Sequence, residues 1–273
     1  MANFREKNFK NWIKRKIKGF FLKFGFEVKG IEKRGNENFP DYIDVSFVKI
    51  YKKYCHRSMV SWQGLYDNYL AAKHIGISSI EGEIVECGVF LGGSIALIKE
   101  TIDLFSKSKN SRKYYLFDTF EGMSDPSQED YKIFEKDSLY TISRFKKYKR
   151  EDGSSNNCRG ELDEVKKTLS ISNDKLKDFH FIKGFVEETL SEDKNIPQKI
   201  ALLRLDTDFY ESTKIELETL FSRLVKGGIL LIDDYGMWNG SKKATDEFFS
   251  KNNFKDLVIL NNHANGSLIG IKI

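Results

Sequence analysis

Four aspartates lie in two similar segments. ALLRLDTDFYEST runs from Ala201 to Thr213, and GGILLIDDYG runs from Gly227 to Gly236. Each is an apolar run of strand length that ends on carboxylates. In an open α/β sheet, ligands bind at the carboxyl ends of the strands. Asp206, Asp208, Asp233 and Asp234 are therefore expected to converge on one crevice. Carboxylates crowded together repel one another and stay ionised only if a cation neutralises them. A donor set made of oxygen alone favours a hard ion such as Mg²⁺. Alternation along LRLDTD puts Asp206 and Asp208 on one side, provided the strand continues that far. Asp208 then reads either as a base beside the metal or as the N-cap of the helix that follows.

A second constellation lies in EIVECGVFLGGSIALI, from Glu83 to Ile98. Gly88, Gly92 and Gly93 let the backbone approach a ligand closely. Ser94 is placed to cap the next helix. The spacing G-x-x-x-G-G differs from the G-x-G-x-x-G of dinucleotide sites, and Glu86 stands where a phosphate would be repelled. An acid in that place suits a cationic ligand. The next strand ends on Asp118, which can accept from both hydroxyls of a ribose. A cationic group near Glu86 and a ribose at Asp118 together describe S-adenosyl-L-methionine.

These residues need a scaffold to position them. Strand patterns are expected over Ile84–Val89, Tyr114–Thr119, Phe179–Lys183, Ala201–Asp206 and Ile229–Asp234. Helices are expected over 61–77, from the glycine turn to Lys107, and over 211–225 and 241–252. Strands alternating with helices imply a parallel sheet. The last two strands, Leu257–Asn261 and Ser267–Ile273, flank the turn NNHANG and read as a hairpin that adds an antiparallel edge. Residues 124–178 are too long for a simple connection. KKYKREDGSSNNCRG within them reads as a mobile loop, and ELDEVKKTLS as a helix start. The insertion is either a lid over the cofactor face or a plain surface insert. His263 in the final turn is either an acceptor contact or a turn residue. None of the four histidines has the spacing of a zinc site. Arg204, a charge in an apolar strand, is expected to pair with a buried acid.

Composition narrows the class. The 273 residues carry three Cys and no CxxC pair, which fits a reducing compartment, so the expected location is cytoplasmic. The sequence has no apolar run long enough to span a membrane. The net charge of +5 is uneven, because residues 1–34 hold eleven Lys/Arg and three Glu. The remaining chain has no net positive charge, which excludes a basic body built for nucleic acid. In residues 9–24, Phe9, Trp12, Ile13, Ile17, Phe20, Phe21 and Phe24 recur at helical spacing with lysines between them. This amphipathic stretch either packs on its own domain or on a partner in a homo-oligomer, or lies peripherally on the inner face of the membrane.

IVECGVFLGGS, LFDTFEGM, FIKGFVEETL, LRLDTDFYEST, GGILLIDDYG and KKATDEFF occur in this order over about residues 57–255. Together they resemble the macrocin O-methyltransferase (TylF-like) family, which methylates sugar hydroxyls using S-adenosylmethionine and Mg²⁺. The resemblance implies an α/β, Rossmann-like methyltransferase fold with a mostly parallel seven-stranded sheet over residues 57–273; the basic, aromatic-rich residues 1–56 read as a helical arm that departs from the family pattern. It further implies that Asp206, Asp233 and Asp234 hold the metal and that Asp208 is the general base. The cofactor contacts would be Glu86, Gly88, Ser94, Asp118 and Thr119, with Met59 and Arg57 closing over it. The expected acceptor is a sugar on a surface glycan, a nucleotide-sugar or a secondary metabolite. The alternatives are a catechol-type enzyme acting on a phenol and a non-catalytic subunit of a glycan-assembly complex.

Overall fold

The structure is a computed structural model that describes residues 34–107, 112–152, 154–172, 176–252, 256–262 and 266–273. The basic stretch at 9–24 and His263 lie outside these residues. Contacts divide the chain between Phe39 and Pro40, and the second unit runs from Pro40 to Ile273. It includes the helix α1, Val45–Tyr54, which the sequence pattern grouped with the arm.

After α1 come α2, Trp62–Ile77, then β1, Glu83–Cys87, and α3, Gly93–Phe105. β2, Tyr114–Asp118, leads into the insertion, which carries α4, Ser138–Lys146, and α5, Leu162–Leu169. Next are β3, Phe179–Lys183, the short α6, Val186–Thr189, β4, Ile200–Leu205, and α7, Tyr210–Leu220. β5, Leu224–Ile232, α8, Asn239–Asn252, β6, Leu257–Asn262, and β7, Leu268–Lys272, complete the chain. The sheet has seven strands in the order β3-β2-β1-β4-β5-β7-β6. The first five run parallel, and β7 pairs antiparallel with both β5 and β6. The fold class and the terminal hairpin expected from the sequence are therefore present.

Every residue of β4 is buried, as a central parallel strand covered on both faces requires. Its Leu203 and Leu205 pack with Val85, Phe117, Leu217, Leu230 and Phe248 in one core cluster. The chain winds outward from β1 through β2 to β3 and from β4 to β5, so β1 and β4 flank the switch point where α/β sheets open a crevice.

Two local expectations, on Ser94 and on the end of α7, are corrected. Helix α3 begins at Gly93, and its N-cap is Gly92 with φ 80°, so Ser94 lies inside the first turn and does not cap it. Helix α7 stops at Leu220, because a single 3₁₀ turn, Phe221–Arg223, leads directly into β5. The polar stretch expected to be a loop closes on itself: Lys149 bridges Ser155, and the Asn156 N–H donates to the Tyr148 carbonyl at 2.9 Å.

Gly88 shows how tightly the crevice is built. Its φ is +81°, and a Cβ there would lie 1.9 Å from the Asp206 carbonyl oxygen. The Asp206 N–H in turn donates to the Cys87 carbonyl at 2.9 Å. Gly88→Ala should therefore destabilise the protein by about 1–3 kcal/mol through backbone strain alone, before any movement of Asp206. Chemical denaturation of the two proteins checks this.

Candidate active site

The polar centre of the crevice is Arg204, which is 1% exposed. In register it sits between Glu86 of β1 and Leu231 of β5. Its guanidinium donates to Glu86 Oε1 at 2.9 Å, to Asp206 Oδ2 at 2.7 Å and to Asp233 Oδ1 at 3.2 Å. The expected pairing of Arg204 with a buried acid is thus observed. Burial works against its charge, but Asp206, Asp233 and Glu86 outweigh that effect and raise its pKa. Burial lifts the Glu86 carboxyl to about 8 despite Arg204. Glu86 Oε2 has no hydrogen-bond partner. The sequence pattern put Glu86 against the cofactor; instead it lies fully buried beneath the crevice, paired with Arg204.

Asp206, Asp233 and Asp234 each offer a carboxylate oxygen, and these oxygens lie within 4.8 Å of one another. Asp206 follows β4, and Asp233 follows β5, held by its N–H to the Leu205 carbonyl at 2.9 Å. Asp208 joins them differently from the strand-alternation argument. The strand ends at Leu205, and Asp208 adopts φ 65°, a left-handed conformation open to aspartate more than to most residues. Its N–H donates to Asp234 Oδ2 at 3.3 Å. It does not cap α7: the N-cap is Phe209, and the free Tyr210 N–H is taken by Asp130 Oδ1 at 2.8 Å, from the insertion.

One guanidinium cannot neutralise this many carboxylates. Burial, followed by the charge of Asp206, pushes both Asp208 and Asp233 up to about 7. Burial and Asp208 push Asp234 well above the usual range. Three converging carboxylates, short of positive charge and free of nitrogen or sulfur donors, fit a hard divalent cation.

The crevice opens into a cleft of about 690 Å³, counting space continuous with solvent. Met59, Gly88, Asp118, Thr119, Asp206 and Asp208 line it, while Asp233 and Asp234 are not among its lining residues. Ser94 does not line it; its hydroxyl lies 3.2 Å from that of Ser58 in the interior. Arg57 does not close over it either, because its guanidinium binds Thr168 Oγ1 at 2.8 Å and Glu164 at 3.0 Å, tying α5 to the chain before α2. Asp118 is more constrained than the sequence suggests. Its Oδ2 accepts from the N–H groups of Val89 and Phe90 at 2.7 and 3.1 Å, and its Oδ1 accepts from Phe120 at 2.7 Å. The carboxylate therefore fixes the glycine turn, with about one of its four acceptor positions left over for a hydroxyl donor. Burial raises its pKa, and these N–H groups oppose the rise.

Phe90, Met123, Cys158, Phe185 and Glu187 complete the wall and were not singled out by sequence. Phe185 and Glu187 lie within FIKGFVEETL, so the motif itself was the available signal. Cys158 arrives from the insertion, where a Cβ on Gly160 would lie 1.9 Å from the Phe90 carbonyl oxygen. No local pattern announces that approach.

Two predictions follow from the charges. Arg204→Met should cost about 3–5 kcal/mol by stranding buried carboxylates, and adding Glu86→Gln should recover part of the loss. The second concerns pH. The unfolded aspartates release protons near 3.8, whereas the folded Asp208 and Asp233 hold theirs up to about 7. The folded state is thus favoured at low pH, and this contribution is lost as pH rises through about 7. In EDTA, the melting temperature should fall from about pH 5 to about pH 8. The increase produced by Mg²⁺ should grow over the same interval, because the ion and the protons compete for the same oxygens. A Mg²⁺ increment that is absent or independent of pH would contradict the carboxylate assignment.

Two curated relatives align with about two thirds of the chain. Demethyldecarbamoylnovobiocin O-methyltransferase of Streptomyces niveus is 27% identical over 183 residues, 67% of this chain and 63% of the relative. The 8-demethyl-8-(2,3-dimethoxy-alpha-L-rhamnosyl)-tetracenomycin-C 4'-O-methyltransferase of Streptomyces olivaceus is 27% identical over 181 residues, 66% of this chain and 63% of the relative. The chain thus spans less than two thirds of the length of these relatives. Among solved structures, the O-methyltransferase NovP matches with a TM-score of 0.61 at 22% identity, covering 79% of this chain and 82% of that one. At that identity the likeness is one of fold. Residues 54–263, most of the chain, match macrocin-O-methyltransferase (TylF), and the chain belongs to that family.

Proposed function

We propose that the chain is an S-adenosylmethionine-dependent O-methyltransferase that uses Mg²⁺ to methylate a sugar hydroxyl. The observation that carries this reading is the convergence of Asp206, Asp233 and Asp234, the first of which also lines a cleft walled by Gly88, Asp118 and Thr119. Family membership and the two relatives, both named as O-methyltransferases, support it.

Bound at the three carboxylates, Mg²⁺ would supply charge that polarises the acceptor hydroxyl, and S-adenosylmethionine in the cleft would supply the methyl group. The protein does the rest. Asp208, whose N–H donates to Asp234 Oδ2, would take the hydroxyl proton. A sugar hydroxyl ionises far above neutral pH and needs such a base. The donated N–H groups that Asp118 receives hold the glycine turn open for adenosine. Phe145, Phe209 and Trp238 pack together at the acid loop, residues 206–209.

Asp208→Asn should lower kcat by about 10²–10⁴-fold with S-adenosylmethionine affinity near wild type. EDTA should abolish methyl transfer and Mg²⁺ restore it. Assay against panels of sugars, nucleotide-sugars and phenols decides the acceptor. Full activity in excess chelator, or turnover of phenols alone, would refute the corresponding part of the proposal.

A further inference from the structure

Helix α4 of the insertion has two unlike faces. Thr141 and Phe145 are buried. Phe145 packs on Phe209 and Trp238 with ring centroids 5.5 and 6.3 Å apart. Phe209 directly follows Asp208, and the Trp238 N–H donates to the Asp234 carbonyl at 2.9 Å. The buried face therefore rests on the segment that carries the acids. The opposite face is exposed and apolar at Leu139 and Tyr140, which are 74% and 52% exposed, and Phe134 just before the helix is 81% exposed.

Cations share this surface. Residues 132–150 contain seven Lys/Arg and two acids, Glu135 and Asp137. Asp137 is engaged in capping the helix through the Tyr140 N–H at 2.8 Å. Lys149 and Arg150 pair with Asp125 and Asp152. Arg144, Lys146 and Lys147 are exposed and, among the described residues, make no ion pair. Exposed aromatic and aliphatic side chains among unpaired cations are the pattern of a helix that lies in a lipid headgroup layer. A second copy of the chain is a poor occupant, since a self-complementary face would set these like charges against one another.

We propose that the outer face of α4, with Phe134, docks on an anionic lipid surface. The acid loop lies on the other side of the same helix, so docking would hold the cleft about one helix diameter, roughly 10 Å, from the headgroups. A sugar carried on a membrane lipid would then meet the site at the surface. This surface is distinct from residues 9–24, and its binding is measured without reference to methyl transfer, so the result does not depend on the proposed reaction.

The test is co-sedimentation of the full chain with vesicles rich in phosphatidylglycerol and with vesicles of phosphatidylcholine alone. The expected result is partitioning to the anionic vesicles that weakens as salt rises. Each basic residue close to such a surface is worth about fivefold in partitioning, so Lys146→Glu with Lys147→Glu should lose about 30-fold or more. Phe134→Ser with Leu139→Ser should also weaken binding, and neither pair should alter methyl transfer to a soluble sugar or the melting temperature. Failure of the wild type to bind, or binding of the charge-reversed protein like wild type, would overturn the proposal. So would a concentration-dependent dimer that Phe134→Ser with Leu139→Ser dissociates, which would assign the face to a second copy.

Discussion

The structure depends on one buried guanidinium. Arg204 stands in the middle of the sheet and binds acids from β1, from the end of β4 and from the end of β5. A charge in that position is costly to bury unless paired, and removing its partners, or it, strands the others. The same contacts orient Asp206 and Asp233 by one oxygen each and leave their remaining oxygens for the crevice. Its single charge is too little for the acids around it. The excess of acid over base around Arg204 is what separates this cluster from a balanced ion-pair network.

Asp118 illustrates a related economy. The sequence places an acid at the end of β2 for a ribose, and the structure loads that acid with three backbone N–H groups from the glycine turn and its own loop. Carboxylates that accept several N–H bonds are well satisfied even when buried. The turn therefore has its shape before any ligand arrives. Preorganisation of this kind spares the cofactor the cost of ordering the loop.

What the sequence made legible is what local chemistry dictates. Apolar runs ending on Asp206 and on Asp233–Asp234 gave adjacent parallel strands, and Arg204 in such a run required a buried acid. Gly88 and Asp118 lie in the cleft for the reasons their types suggest. The failures are equally specific. Glu86 looked like a ligand contact because nothing local says that its nearest cation is Arg204, 118 residues away. Asp208 looked like a possible cap for α7, but a distant aspartate, Asp130, supplies that bond across 80 residues. Ser94 looked like a cap because Gly92 can also start a helix when it adopts positive φ. Helix α4 was missed because its helical face is short and its stability comes from Phe145 packing on residues far along the chain.

That last contact is one of three that tie the insertion to the segments carrying the acids. The segment Tyr131–Ile133 pairs with Met237–Asn239, with the Ile133 N–H on the Met237 carbonyl at 3.0 Å and the Asn239 N–H on the Tyr131 carbonyl at 2.9 Å. Phe145 reaches the same region through Trp238, and Asp130 fixes the start of α7 just past Asp208. The insertion is thus fastened at three points to the two segments that carry the acids. A displacement of the insertion would act on the backbone of Asp208 and Asp234 through packed rings and hydrogen bonds, which shift together rather than deform smoothly. The geometry of Asp208 and Asp234 is therefore tied to the seating of the insertion, and whatever seats the insertion also bears on the distances among these carboxylates.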